Sequence, residues 1–511
     1  MSSLAYPRAA AGRPRARGAV RDALERLGPD VLLGVVTLAL ATVLLVELPG
    51  DFNVDSWLAL VTGREVWQSG IPHHEVLIAL ALGHSWIDQQ WLSQLASYAI
   101  YLVGGLGLLG LVDVVLLVGS VGGAVAAGRR LGAPFISVLV TLPLCVALIA
   151  PSREVRTQTF AIPLFVAVAY LLARDARGPS RRVYWCLPIL VLWANLHGTV
   201  TLGAGLVALR GATVAWERRH SLTRSARAWA RPLALTVGAG VSILITPYGL
   251  GIIGYYHSTI VSGALRQAVS EWQPITSVPI STAALLIIAA AAVWAVGRSP
   301  SRSTAWERLA LLALTVGSVS VVRNALFFGL FALMVVPVWL GIGEPRTDQH
   351  PAPRRALING GLIGAGLLAV LTTGAVTLAR PAAAIELHFQ QLPLLNVVER
   401  ATHADPSLRV LADERFDDWL LWRDPKLNGR VASDARFELL SSAQIDRLEN
   451  VFSVTGVNWK QGARGDRLLV LDRNYEPGMV QGFLAEPGAR VLYSDAGQLV
   501  ILRSASQAAD G

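Results

Sequence analysis

The sequence predicts a polytopic α-helical membrane protein of about eleven spans with a C-terminal extracytoplasmic α/β domain. Three observations predict it. Of the 511 residues, 53% are hydrophobic and only 15% are charged, and the mean hydropathy is +0.49, which is too apolar for a soluble surface. Apolar runs recur, each roughly 17 to 22 residues long, the length that crosses a ~30 Å hydrocarbon core. Arginines gather in short segments between those runs, the signature of loops held in the cytoplasm. The net charge of +9 is therefore a topology signal, and no nucleic-acid partner is expected.

Residues 1–28 carry Arg8, Arg13, Arg15, Arg17, Arg21 and Arg26 and read as a basic cytoplasmic tail. The apolar run behind them is long enough to span, unlike the core of a cleavable signal. The spans fall at 29–49, 108–128, 134–150, 157–173, 183–196, 198–215, 231–247, 281–297, 308–322, 324–341 and 356–378. With these spans, the basic segments 129–130, 174–182, 217–231, 298–308 and 344–355 share one side with the tail. That agreement requires 86–102 not to cross, so this stretch is expected to lie along the membrane surface or half inside it. Cys145 and Cys186 fall inside apolar runs and are expected to act as small buried hydrophobes, with no disulfide framework or metal spacing.

The transmembrane domain, 29–380, presents a large first outer loop, 50–91, to the other side, together with 151–159, the turn at 195–198, the loop 247–281 and Arg323-Asn324. Residues 381–511 have ordinary polarity and enough length for one small domain. The runs 409–412, 468–471 and 498–502 read as strands, and 385–402 as an amphipathic helix. This segment has no Gly-rich phosphate loop and no nucleophile motif. The expected location is the plasma membrane, with the N-terminus cytoplasmic.

The first outer loop holds Asp51, Asp55 and Glu75 with His73, His74, His84 and Asp88, more ionisable groups than a connection between spans needs for packing. Residues 54–67 form a helical pattern whose apolar face is Trp57, Leu60, Val61 and Trp67, so Asp55 stands at the start of a helix on the membrane surface. An acid there also suits the helix dipole, a purely structural role. As a functional group, Asp55 is the candidate general base. Asp51 and Glu75 are its candidate companions, orienting an acceptor or sharing a divalent cation; no motif spacing names the ligands of such a metal.

Arg153 and Arg156 run against the charge bias of the outer side. A guanidinium matches phosphate oxygens in bidentate fashion, so these two, with Arg323 in a tight outer turn, are candidate phosphate ligands. Ion pairs with Glu154 or with the loop acids are the structural alternative. Asn195 and His197 interrupt two apolar runs with almost no loop between them, and polar groups at that depth face the interior or a cavity. In the loop 247–281, Arg266 and Glu271 are further candidates. Asp434 and Arg436, two residues apart, read as a structural pair.

The layout resembles the GT-C superfamily, polytopic glycosyltransferases that use polyprenyl-phosphate sugars. More narrowly, the chain is similar to a group of bacterial membrane proteins related to them. The pieces that carry the resemblance are DSWLALVTGREVW followed by GIPHHE, then WIDQQWLSQL, APSREVRTQTFAIPLF, LWANLHGTVTLG, TPYG with EWQP, RNALFFGLFAL and, in the tail, GRVASDARFELL. The resemblance implies that Asp55 acts as base or orients the acceptor, and that Arg153 and Arg156 hold the donor phosphate. It implies transfer of a hexose or pentose from a polyprenyl-phosphate lipid to an acceptor of the cell envelope: glycan, lipid or protein. Many members carry an acid in the second outer loop, where this chain has only Glu154 among arginines. Asp417-Asp418-Trp419 stands where a Trp-Gly-Gly type of turn is expected. The alternative function is a non-catalytic lipid- or glycan-binding protein or carrier.

Overall fold

A computed structural model of the protein describes residues 30–222, 225–261, 270–343, 353–386 and 392–510. The basic tail 1–28, Arg266 and the stretch 344–352 of one predicted basic loop lie outside the described residues.

Seven described helical segments are long and apolar enough to cross a membrane: Asp30–Asp51, Trp91–Arg130, Phe135–Ser152, Thr157–Arg177, Pro279–Arg298, Val322–Leu340 and Leu357–Ala379. Four other expected spans appear as the helices Cys186–Leu196, Val200–Glu217, Ala230–Leu244 and Ala305–Ser320. These are shorter or less apolar. At 1.5 Å per residue, the 11 residues of Cys186–Leu196 rise ~16 Å, about half of a hydrocarbon core. Such helices are sheltered by neighbours instead of crossing alone. The helix Ala325–Leu340 shows the opposite extreme: it is apolar all round and buried along nearly its whole length, the mark of a central helix. The helix Pro353–Ala379 packs beside Asp30–Glu47 and leaves Leu357, Leu368 and Leu371 exposed, a lipid-facing surface. Cys145 and Cys186 are free thiols, fully buried.

The helix Trp91–Arg130 is broken at Gly104 (φ −148°) and Gly105 (φ +64°, ψ −163°). The second conformation is open to glycine and hardly to other residues. The limb before the break therefore leaves the direction of the span behind it. It packs along the helix Val54–Ser69, and the two backbones nearly touch. A Cβ on Gly63 would stand 2.2 Å from the Gln94 carbonyl oxygen. Val54–Ser69 starts at a reciprocal cap between Asn53 and Ser56, which supplies partners for the first free N–H groups. Trp57, Leu60 and Val61 are buried as expected, but Trp67 is 57% exposed and meets Tyr98 edge-on at 6.2 Å. The apolar face thus turns away before the last helical turn.

The C-terminal segment contains a four-stranded sheet in the order β1 (Val410–Ala412), β2 (Leu468–Asp472), β4 (Gln498–Leu502), β3 (Arg490–Ser494). β1 and β2 run parallel and the other pairs antiparallel. Three strands match the predicted runs. β3 was not legible because Arg490-Val-Leu-Tyr-Ser494 is a half-exposed edge without the apolar run of a central strand. The expected helix 385–402 is seen as Ala382–Glu386 and Leu392–Ala404, with 387–391 outside the described residues.

The first loop continues this sheet. Gly429 donates its N–H to Leu77 O at 2.7 Å, Ala79 to Val431 O at 2.7 Å and Leu80 to Ala432 O at 3.1 Å. The same 430–432 stretch exchanges hydrogen bonds with Val410 on its other side. The loop is thereby an added edge of the C-terminal sheet, which covers otherwise open backbone groups.

Candidate functional site

Between the helical bundle and the C-terminal segment lies a cavity of about 780 Å³, within the range of small-molecule sites. Its wall includes Asp55, Arg156, His197, Glu271 and Arg323, five of the residues singled out from the sequence. Asp51, Glu75, Arg153 and Asn195 are not part of that wall.

Asp55 reaches the cavity because the helix Val54–Ser69 begins there. The segment carrying Arg156 is laced to the same loop. Val155 donates its N–H to Asp51 O at 3.0 Å and accepts from Ser56 Oγ. Arg156, only 7% exposed, then brings Nε within 3.6 Å of Asp55 Oδ2. Its terminal nitrogens pair with Glu154 and Glu271. Burial opposes the Arg156 charge, but Asp55 and Glu271 outweigh burial and raise its pKa.

Arg323 approaches from the turn before the central helix. Its Nε donates to Gln158 Oε1 at 2.7 Å, its Nη2 stands 3.2 Å from His197 Nε2, and its Nη1 is 3.6 Å from Glu271 Oε2. Burial, with Arg323 and Arg156 nearby, holds the His197 pKa well below its ordinary value. His197 Nδ1 receives the Thr199 N–H at 3.1 Å and lies 3.0 Å from Thr199 Oγ1. For Glu271, burial raises the carboxyl, while Arg323 and Arg156 pull it down further, so the net direction is lower.

The other four candidates are engaged elsewhere. Arg153 Nε meets Asp51 Oδ1 at 2.9 Å and its Nη1 meets Glu47 at 2.8 Å, a local ion-pair network beside the cavity. Asn195 accepts from Trp91 Nε1 at 3.1 Å and donates to Val191 O in its own helix and to Ile245 O, so it links its helix to two neighbouring segments. Glu75 is fully buried. It accepts from the N–H groups of Leu77 and Ile78 and receives Arg436 at 2.6 and 3.0 Å.

Arg436 also pairs with Asp434, as the sequence suggested, and its guanidinium lies 4.4 Å from the Trp86 ring centre. The pair is not merely local, since it joins the first loop to the C-terminal segment. The residues around it, Ala435 to Glu438, with Glu414 and Arg415, close one side of the cavity. Reading the sequence missed Glu414 and Glu438, which carry no motif. It also missed Asp113, which accepts from the Thr159 side chain and the Arg156 N–H. A signal for Asp113 existed: an acid inside an apolar span faces protein interior by default.

Asp55, Glu154 and Glu271 offer oxygen atoms all within 4.8 Å of one another, a donor set of the type a hard divalent cation takes. Arg156 contacts all three and already supplies positive charge at that point. The carboxylates fit a cation in chemistry, on condition that Arg156 swings aside.

No protein-family model matches the chain, and no curated protein matches it. Solved structures do. The archaeal oligosaccharyltransferase AglB from Archaeoglobus fulgidus, in complex with an inhibitory peptide and a dolichol-phosphate, is similar over 93% of this chain and 74% of its own, at 10% identity and a TM-score of 0.51. ArnT from Cupriavidus metallidurans bound to undecaprenyl phosphate aligns over 93% of this chain and 98% of its own, at 14% identity and a TM-score of 0.49. At such identity the likeness is one of fold, and the oligosaccharyltransferase carries it. The chain shares the fold of that polytopic oligosaccharyltransferase.

Proposed function

We propose that this protein is a membrane glycosyltransferase that moves a sugar from a polyprenyl-phosphate donor to an extracytoplasmic acceptor. One observation carries the reading: Asp55 faces a cavity that also holds the guanidiniums of Arg156 and Arg323. A carboxylate beside fixed cations, at one end of a membrane bundle, suits a proton to be taken and a phosphate to be released. The dolichol-phosphate in the AglB complex supports a polyprenyl phosphate as the lipid. Positive-inside bias supports residues 1–28 in the cytoplasm, the bundle 29–380 in the plasma membrane, and 381–511 with the cavity outside.

In this mechanism the acceptor hydroxyl gives its proton to the Asp55 carboxylate. The acceptor oxygen bonds to C1 of the sugar as the bond from C1 to the phosphate oxygen breaks, with inversion. The charge left on the polyprenyl phosphate falls to Arg323, which lines the cavity, is anchored at Nε by Gln158 and meets Glu271 only at 3.6 Å. Arg156 is more tightly engaged and acts chiefly to orient Asp55 and Glu271. Preorganised cations at a leaving group are a large source of rate acceleration. Asp55, Glu154 and Glu271 would hold a divalent cation, which when bound would add positive charge near the phosphate; the reaction is metal-optional because Arg156 already neutralises those carboxylates.

The test is native mass spectrometry of the protein in mild detergent, followed by transfer assays with Asp55→Asn. A co-purified polyprenyl phosphate, retained by Asp55→Asn while transfer is lost, is the expected result. Retained transfer in that variant rules out Asp55 as the base. Lipid binding with no transfer by the wild type would leave a carrier or scaffold.

A further inference from the structure

The glycosyl-transfer reading leaves half of the cavity unassigned, and the inference that follows rests on that reading. The wall supplied by the C-terminal segment brings Glu414 and Glu438 to the cavity. Each arginine on the wall is already held by carboxylates. Arg156 is held by Glu154 and Glu271, Arg323 by Glu271, Arg415 by Asp413 and Asp472, and Arg436 by Glu75 and Asp434. Among the described residues, neither Glu414 nor Glu438 forms an ion pair. Glu414 is close enough to Asp55 to feel its charge, and Glu438 stands in the same relation to Tyr255. Tyr255 and Tyr256, with ring centres 5.7 Å apart, line the cavity on that side. The Tyr256 hydroxyl is buried with no hydrogen-bond partner among the described residues.

We infer that this half of the cavity is the acceptor subsite and that it takes an uncharged glycan. Open carboxylates accept hydrogen bonds from sugar hydroxyls, and charge-assisted bonds of this kind are the strong ones. Tyrosine offers a sugar ring an apolar face with a polar tip. The hydroxyl to be glycosylated would lie at Asp55, where it loses its proton, and the rest of the acceptor would reach Glu414, Glu438 and the tyrosine pair. A phosphorylated or carboxylated acceptor meets Asp55, Glu414 and Glu438 with no spare cation on that wall, and like-charge contacts of this kind exclude wrong partners.

The experiment compares cell-envelope material from cells making the wild-type protein with material from cells making Asp55→Asn. The species that lacks a sugar in the variant is isolated and its accepting residue identified by mass spectrometry. An uncharged accepting sugar is the expected result; a phosphate or carboxylate on the residue that receives the sugar overturns the inference. The isolated species then serves as the acceptor in assays of Glu414→Gln and Glu438→Gln. These variants should raise its KM about tenfold or more while binding of polyprenyl phosphate, read by native mass spectrometry, stays unchanged. An unchanged KM in both variants, with melting temperatures as in the wild type, also overturns the subsite. If the wild-type and Asp55→Asn envelopes are identical, it is the glycosyl-transfer reading that fails, and the subsite falls with it.

Discussion

Arg156 Nε stands 3.6 Å from Asp55 Oδ2, and the two are held in register by their neighbours. Val155 is bonded to Asp51 and Ser56, while Asp113 accepts the Arg156 N–H from below. A base and a cation from separate loops thus meet without depending on the flexibility of either side chain.

The two arginines of the segment 153–156 should differ from Arg323. Arg153 is tied to Asp51 and Glu47 away from the cavity, so Arg153→Ala should change polyprenyl-phosphate binding less than about threefold. Arg323→Ala removes a cation that faces the cavity and should weaken binding about tenfold or more, since hydrogen bonds to charged groups are worth ~1.5–3 kcal/mol. Titration of each variant with undecaprenyl phosphate checks this, and equal losses in both would contradict it.

Arg156 and a divalent cation compete for the same three carboxylates. Chelation should leave wild-type transfer within about twofold. Arg156→Gln frees Asp55, Glu154 and Glu271 and should create manganese binding measurable by calorimetry, with a donor set of oxygen ligands. Strong inhibition of the wild type by a chelator would show instead that Arg156 yields to a metal in the working enzyme.

The pairing of Glu75 with Arg436 should be a matter of stability. Both are buried, and removal of one partner from a buried ion pair typically costs ~3–5 kcal/mol because the other charge is stranded. Glu75→Gln and Arg436→Met should each lower the melting temperature markedly, and the double variant should lose less than the sum of the two. Full additivity would mean that the contact does not form.

Stability should also depend on pH through Glu438. Desolvation first, then Asp434 and Glu75, push its carboxyl up to about 7 despite Arg436, although the side chain is exposed on the cavity wall. A carboxyl with a raised folded pKa favours folding while protonated, and that contribution is lost as pH rises through the folded value. The wild-type melting temperature should therefore fall between about pH 5 and about pH 8 more steeply than that of Glu438→Gln. Parallel profiles would place Glu438 in ordinary solvent.

The sequence by itself determined what depends on composition and short-range pattern. Span positions follow from the length of apolar runs, and the break before the second span was legible from charge bias, with Gly104 and Gly105 as its physical cause. The helix bearing Asp55 was legible from its periodicity, and the strands β1, β2 and β4 from their apolar runs. The short helices Cys186–Leu196 and Ala230–Leu244 look like spans in sequence, but only packing shows that neighbours complete them.

Only the tertiary structure decided which ionisable residues share a cavity. Arg153 and Arg156 look alike at three residues apart, yet one faces Asp51 and the other Asp55. Glu75 reads as a second catalytic acid and is instead a strut for Arg436, 361 positions away in the chain. Glu414 and Glu438 carry no local signal at all. Ion pairs and cavities are built from residues distant in sequence, and a side chain's partner is set by where the backbone of another segment passes, which no local pattern encodes.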